Sequence, residues 1–402
     1  MKPATVVFVT VLMLLLSTIA GVMFSSDKTS PKFIRVGPIE QSINAEYQTS
    51  EPIIISNNFE FVSFGASGVG TPSDPYTFEN LQIADSGSCI QVQDTTAYFV
   101  ILNCKLESGD SAPAILFSNV ENGRVEQCEI KGGSSGIELI SSEGCVIQEN
   151  IIYDCWDGIF FYYTSTSTAI DNTIHNNNKG IAFNQSNHSL ILNNTIYANQ
   201  RYGVEIAFYS YNNTIYGNSI GWNDIQGLQE DNAFDSGVNT TFDNGASIGN
   251  FWSDYNGSET YMIPGTGGSA DQFAQLLEDD ENPYVSALLD VAIDVDSVGN
   301  TLTWTVYDRY PSVYRIEQNE QQVLRATWEG REISYGLDHL QVGTHAITLI
   351  LVDGAGNTVS DGVFVSVISI VLGGIGTEFV MIASGITVAC FVIIIVFIKR
   401  LS

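Results

Sequence analysis

The chain has 402 residues, 44% of them hydrophobic and 15% charged, so it can bury a sizeable core and is not broadly disordered. Its 15 Lys and Arg stand against 45 Asp and Glu, a net charge of -30. A field of that sign repels phosphate backbones and anionic lipid heads and argues against nucleic acid as a partner, while cations and neutral polymers stay open.

Lys2 precedes an apolar run over 4–23, which predicts a secretory signal over 1–24. Thr18-Ile19-Ala20 is a loose cleavage match, so an uncleaved signal anchor remains an alternative. A polar lead-in fills 25–58.

Beyond it the chain repeats. Asn150-Ile151-Ile152, Asn172-Thr173-Ile174, Asn194-Thr195-Ile196 and Asn218-Ser219-Ile220 recur at steps of 22, 22 and 24, and Cys128-Glu129-Ile130 and Cys104-Lys105-Leu106 hold the same slots upstream. A second marker keeps the same register: Gly136-Ile137, Gly158-Ile159, Gly180-Ile181 and Gly203-Val204. Between markers lie short period-two patches bounded by Gly, Asn, Ser and Asp, too short for amphipathic helices. This pattern predicts a right-handed parallel β-helix over 59–258 with coils of about 22 residues. Coils rise by about 4.8 Å, so equivalent residues stack. Leu106, Ile130, Ile152, Ile174, Ile196 and Ile220 become an inward aliphatic column, and Asn150, Asn172, Asn194 and Asn218 an amide ladder at a bend, where Asn tolerates a left-handed backbone. Cys104 and Cys128 head that ladder. Their spacing permits a disulfide, but small buried thiols fit a slot that takes Asn elsewhere. The column Asp157, Lys179, Arg201 reads as charge pairing between coils.

These phrases resemble the right-handed β-helix family called NosD-like or CASH (carbohydrate-binding proteins and sugar hydrolases). Asn250-Phe251-Trp252-Ser253-Asp254-Tyr255 is similar to the phrase that follows the last coils in archaeal surface members. The resemblance implies carbohydrate binding, or hydrolysis in some relatives, and an archaeal source. The Asp- and Gly-rich segment that follows in those relatives has lost most of its acids over 256–273.

A linker over 259–282 ends in the acidic run Asp279-Asp280-Glu281-Asn282 before Pro283, and 283–368 shows longer alternating strands that fit an Ig-like β-sandwich, read as a stalk. A membrane-proximal link follows. The uncharged run 379–398, followed by Lys399 and Arg400, predicts a transmembrane helix with a cytoplasmic tail over 399–402. The fold expected is therefore all-β with one membrane helix, its bulk outside the cell. Six sequons, at Asn184, Asn187, Asn193, Asn212, Asn239 and Asn256, permit glycosylation.

For chemistry, Asp154 and Asp157 share one turn and are the candidate acids of a hydrolase or lyase. Glu138 and Glu205 share an outward column but lie about 14 Å apart by strand spacing. Outward aromatics make the stronger pattern. If Ile159, Phe161 and Tyr163 point in, Phe160 and Tyr162 point out beside Trp156, with Tyr202, Tyr209 and Tyr211 two coils along. His175, His188, His339 and His345 lack ligand spacing, and Asp294-Val295-Asp296-Ser297-Val298-Gly299 fails as an EF-hand, so neither metal nor cofactor is expected. Three functions stand: a surface protein binding glycans or surface-layer proteins without turnover, a tethered polysaccharide hydrolase or lyase, and a structural envelope spacer.

Overall fold

The computed structural model describes residues 47–223, 232–257, 260–278, 280–329 and 331–369. The expected signal segment over 1–24 and membrane segment over 379–398 lie outside the described residues. Among the described residues no helix is long and apolar enough to cross a membrane.

Three parallel sheets of ten, eight and seven strands wrap into a right-handed coil stack. One coil shows the plan: Glu129–Gly132 lies in the first sheet, Ser135–Ile140 in the second and Val146–Gln148 in the third, before Ile151–Tyr153 returns to the first. Leu106, Ile130, Ile152, Ile174, Ile196 and Ile220 pair directly from coil to coil, and all are buried. Ile137, Ile159 and Ile181 line the second sheet and Ile147, Ala169 and Ile191 the third, closing a dry prism.

The asparagine ladder forms, with a correction to its backbone. The left-handed residues are Gln127, Glu149, Asp171 and Asn193, each one position before the ladder residue. That kink turns the next side chain inward, where Asn150 Nδ2 donates to Asn172 Oδ1 at 2.9 Å and Asn172 Nδ2 to Asn194 Oδ1 at 2.9 Å. A second buried ladder, absent from the sequence reading, joins Asn177, Asn199 and Asn223 in the same way. Cysteines head these columns. The Cys128 amide donates to Asn150 Oδ1, the Cys155 amide to Asn177 Oδ1 and the Cys145 amide to Ser167 Oγ. Cys89, Cys104, Cys128, Cys145 and Cys155 are all buried free thiols.

Pairing runs past both expected ends of the stack. Gln48–Thr49 and Ile53–Ile55, placed above in the lead-in, join the first and second sheets, and Gln275–Leu276, placed above in the linker, pairs with Phe251–Trp252. Phe61 plugs one end of the prism, stacked 4.8 Å from Tyr76. At the other end Asn250 extends the amide ladder, and buried Trp252 donates its indole N–H to Asp271 at 3.0 Å.

Downstream, one sheet of Tyr284–Val285, Thr301–Tyr307 and Glu332–Gly336 faces another of Val291–Asp294, Thr358–Ile368, Gly343–Asp353, Pro311–Gln318 and Gln321–Thr327. Strict alternation along Thr301–Tyr307 sends Leu302, Trp304 and Val306 into their shared core. These sheets rest against the side of the stack, not beyond its end as a stalk would. Tyr153, His175 and Tyr197, one outward column of the first sheet, stack at 5.5 and 4.8 Å and are covered by them. The Tyr197 hydroxyl donates to the Pro311 carbonyl at 2.9 Å, and the Ser312 hydroxyl to Asn176 Oδ1 at 2.7 Å.

Candidate functional site

The second sheet carries the candidate residues on its outer face, because strand alternation sends every other side chain there. Glu138, Phe160, Ala182, Glu205 and Phe234 form one outward column. Beside it run Ser135, Asp157 and Lys179, and on the other flank Ile140, Tyr162 and Asn184.

The aromatic residues divide into two groups. Phe160 and Tyr162 lie 5.8 Å apart with near-parallel rings, half-buried on the sheet. Tyr163, expected to point inward, is a correction: the strand ends at Tyr162, and a left-handed Tyr163 (φ 52°) swings out to 49% exposure, 4.5 Å from the Tyr162 ring. Trp156 stands on the preceding bend, 61% exposed. Two coils along, Tyr202 packs 5.3 Å from Phe234, with the Arg201 guanidinium 5.6 Å from its ring centre. The sequence reading passed over Phe234 because its strand, Ala233–Asp235, lies beyond the last repeat of the Gly-hydrophobic marker. Tyr209 and Tyr211 are exposed on the turns after Val204–Ile206, away from the sheet face.

Asp154 and Asp157 do not form a pair. Asp154 occupies a left-handed turn (φ 56°), and its Oδ1 accepts the Thr327 hydroxyl at 2.6 Å, so it belongs to the seam with the downstream sheets. That seam holds a cleft of ≈ 690 Å³ lined by Asp154, Asn176, Trp222, Arg325 and Gly354 among others. Asp157 opens its strand and is buried, its Oδ1 without a hydrogen-bond partner. Burial, with the charges of Glu205 and Glu138, pushes its carboxyl up to about 6 against the opposing pull of Lys179 and Arg201. Glu138 is raised by burial as well. The expected charge column also shifts: Lys179 Nζ engages Glu205 at 2.5 Å in place of Asp157. The face thus combines ring surfaces with a carboxyl that burial holds above the ordinary carboxylate range.

Of the sequon residues, Asn193, Asn212, Asn239 and Asn256 are exposed, while Asn184 and Asn187 are half-buried. Asn187 Oδ1 also accepts the Tyr211 amide at 3.0 Å, which ties it to the coil edge.

The family described as periplasmic copper-binding protein (NosD) matches residues 47–257. The chain is similar to the A-module of mannuronan C-5 epimerase AlgE4 from Azotobacter vinelandii, at 13% identity over 58% of this chain and 88% of that one, with a TM-score of 0.30. It is also similar to the enzymatically active domain of bacteriophage CBA120 tailspike protein 2 (10% identity, 77% and 76% coverage, TM-score 0.31). A third likeness is to the siphovirus 9NA tailspike receptor binding domain (11% identity, 71% and 74% coverage, TM-score 0.27). No curated protein matches.

Copper favours thiolate, thioether or imidazole donors. Among the described residues the five thiols are buried in the core, and His175, His188, His339 and His345 lie apart, each bonded to its own partners: Glu329 and Asn176, Asn212, Tyr335 and Gln318, and the Gln341 carbonyl. The one group of three or more potential ligands among the described residues is all carboxylate. These residues do not fit copper.

Proposed function

The chain belongs to the NosD family of parallel β-helix proteins, and on that premise we propose that its coil stack is a binding surface outside the cytoplasm for carbohydrate or another envelope component, without turnover. The Phe160–Tyr162–Tyr163 cluster beside Trp156 carries this reading. Half-exposed rings offer flat apolar faces that stack on sugar rings, and the neighbouring carboxyls and Lys179 offer hydrogen bonds to hydroxyls. The run 379–398 and the basic pair after it support a C-terminal membrane anchor. Strand order in the downstream sheets supports an Ig-like reading, with the first, third and sixth strands in one sheet and the remaining five in the other. Exposed sequons support glycosylation.

One observation favours the hydrolase or lyase reading: Asp157, raised to about 6 and lacking a partner on Oδ1, has the character of a general acid. Incubating the full chain with a polysaccharide array and analysing the products separates the readings. Retention of polysaccharide without shorter products, weakened about tenfold by Trp156→Ala or Tyr162→Ala, supports the binding surface. Released oligosaccharide supports the enzyme, and the absence of both retention and release supports a spacer.

A further inference from the structure

We propose that Asp280, Asp308 and Asp353 form a Ca²⁺ site that fastens the chain leaving the coil stack to the sheets that follow. The three come from separate segments. Asp280 lies between Gln275–Leu276 and Tyr284–Val285, Asp308 follows Thr301–Tyr307, and Asp353 closes Gly343–Asp353. One carboxylate oxygen from each lies within 4.8 Å of the others. Ligand oxygens around Ca²⁺ sit at about 2.4 Å, so two of them can be at most about 4.8 Å apart.

Each acid is held by a backbone amide on Oδ1. Glu281 N–H donates to Asp280 at 3.1 Å, Tyr310 N–H to Asp308 at 2.6 Å and Asn357 N–H to Asp353 at 2.7 Å. Asp353 is 2% exposed, and its Oδ2 is buried with no hydrogen-bond partner, as is Asp280 Oδ2. A buried, unpaired carboxylate oxygen facing two other acids is costly unless a cation fills the space. Arg309 follows Asp308 in the chain, but its guanidinium rests 5.3 Å from the Tyr310 ring centre.

Oxygen donors alone select a hard cation over zinc or copper, and three carboxylates suit Ca²⁺ better than Mg²⁺, which keeps most of its water. The site adjoins the seam. Gly354 follows Asp353, its amide donates to the Tyr310 carbonyl at 2.7 Å, and a Cβ there would collide with the Tyr197 ring.

The test is thermal unfolding of the EDTA-stripped full chain, titrated with CaCl₂ and separately with MgCl₂. Ca²⁺ at a hundredfold excess over its Kd is expected to raise the midpoint by about 5 °C, and Mg²⁺ by less. Asp280→Asn and Asp308→Asn should each abolish that increment, yet raise the midpoint in EDTA by relieving like-charge repulsion. A wild-type midpoint unmoved by millimolar CaCl₂, or an increment that survives both substitutions, overturns the site.

Discussion

His175 and Glu329 meet across the seam between the coil stack and the downstream sheets, with Nε2 2.5 Å from a carboxylate oxygen. The histidine is fully buried, stacked between Tyr153 and Tyr197, so its ring cannot turn away to water. Glu329→Ala leaves a buried polar nitrogen with no polar neighbour and is expected to cost about 1–3 kcal/mol in denaturant unfolding. Glu329→Gln, which keeps an acceptor, should cost less. Equal losses for the two would show that bulk at the seam, and not the pair, is what matters.

Asn172 should be among the most sensitive positions in the stack. Its Oδ1 accepts both the Asn150 amide at 3.0 Å and the Asn150 side chain at 2.9 Å, while its Nδ2 donates to the Ile147 carbonyl at 2.9 Å. Asn172→Leu strands these buried groups at about 1–3 kcal/mol each, so a loss of roughly 3 kcal/mol or more is expected in the urea midpoint. Exposed Asp171, one residue earlier, gives the contrast: Asp171→Gly should be nearly neutral, because φ of 55° suits glycine.

The periodic part of the fold was legible because a coil stack makes its register visible as repeated letters. Leu106 to Ile220 fell in one column as spacing required. What spacing could not carry was anything made once. Phe61 and Trp252 close the prism, Gln48–Thr49 and Ile53–Ile55 start it without a marker, and Glu329 reaches His175 from 154 residues away. Tyr163 was misplaced for a related reason: alternation was extended one residue beyond the strand that enforces it. The separation of Asp154 from Asp157 came from the backbone kink at Asp154, which residue type alone does not announce.

Asp157 should leave a signature in the pH dependence of stability. Its folded pKa of about 6 lies above the ordinary 3.8, so the folded state holds the proton that the unfolded state releases between those values. Stability is therefore full below about pH 4 and falls as pH rises to about 6, by about 3 kcal/mol. Asp157→Asn removes that fall. Subtracting the variant's stability curve from the wild type's, measured from pH 3.5 to 7.5, isolates the effect from the other acids. A flat difference curve would contradict the placement of Asp157.

The five described cysteines should resist chemistry in the native state. All five sulfurs are buried, out of reach of a reagent in solution, and burial also pushes Cys89 up to about 11 and Cys145 up to about 12. Iodoacetamide followed by peptide mass mapping should label none of Cys89, Cys104, Cys128, Cys145 or Cys155 until denaturant is added. Rapid native labelling at any of them would show that its column opens.

The columns also say how such a molecule can change length. Ile159 pairs with Ile181 after 22 residues, Ile181 with Val204 after 23 and Ile191 with Ile215 after 24, so extra residues enter at turns one at a time while every inward position stays aligned. A whole coil can be gained or lost with no new packing problem, each adding about 4.8 Å of reach. The coils that present Tyr153, His175, Tyr197 and Trp222 are spoken for, since the docked sheets pack against them. The stack works as a ruler with one fixed mark, free to grow on the side where the chain enters it.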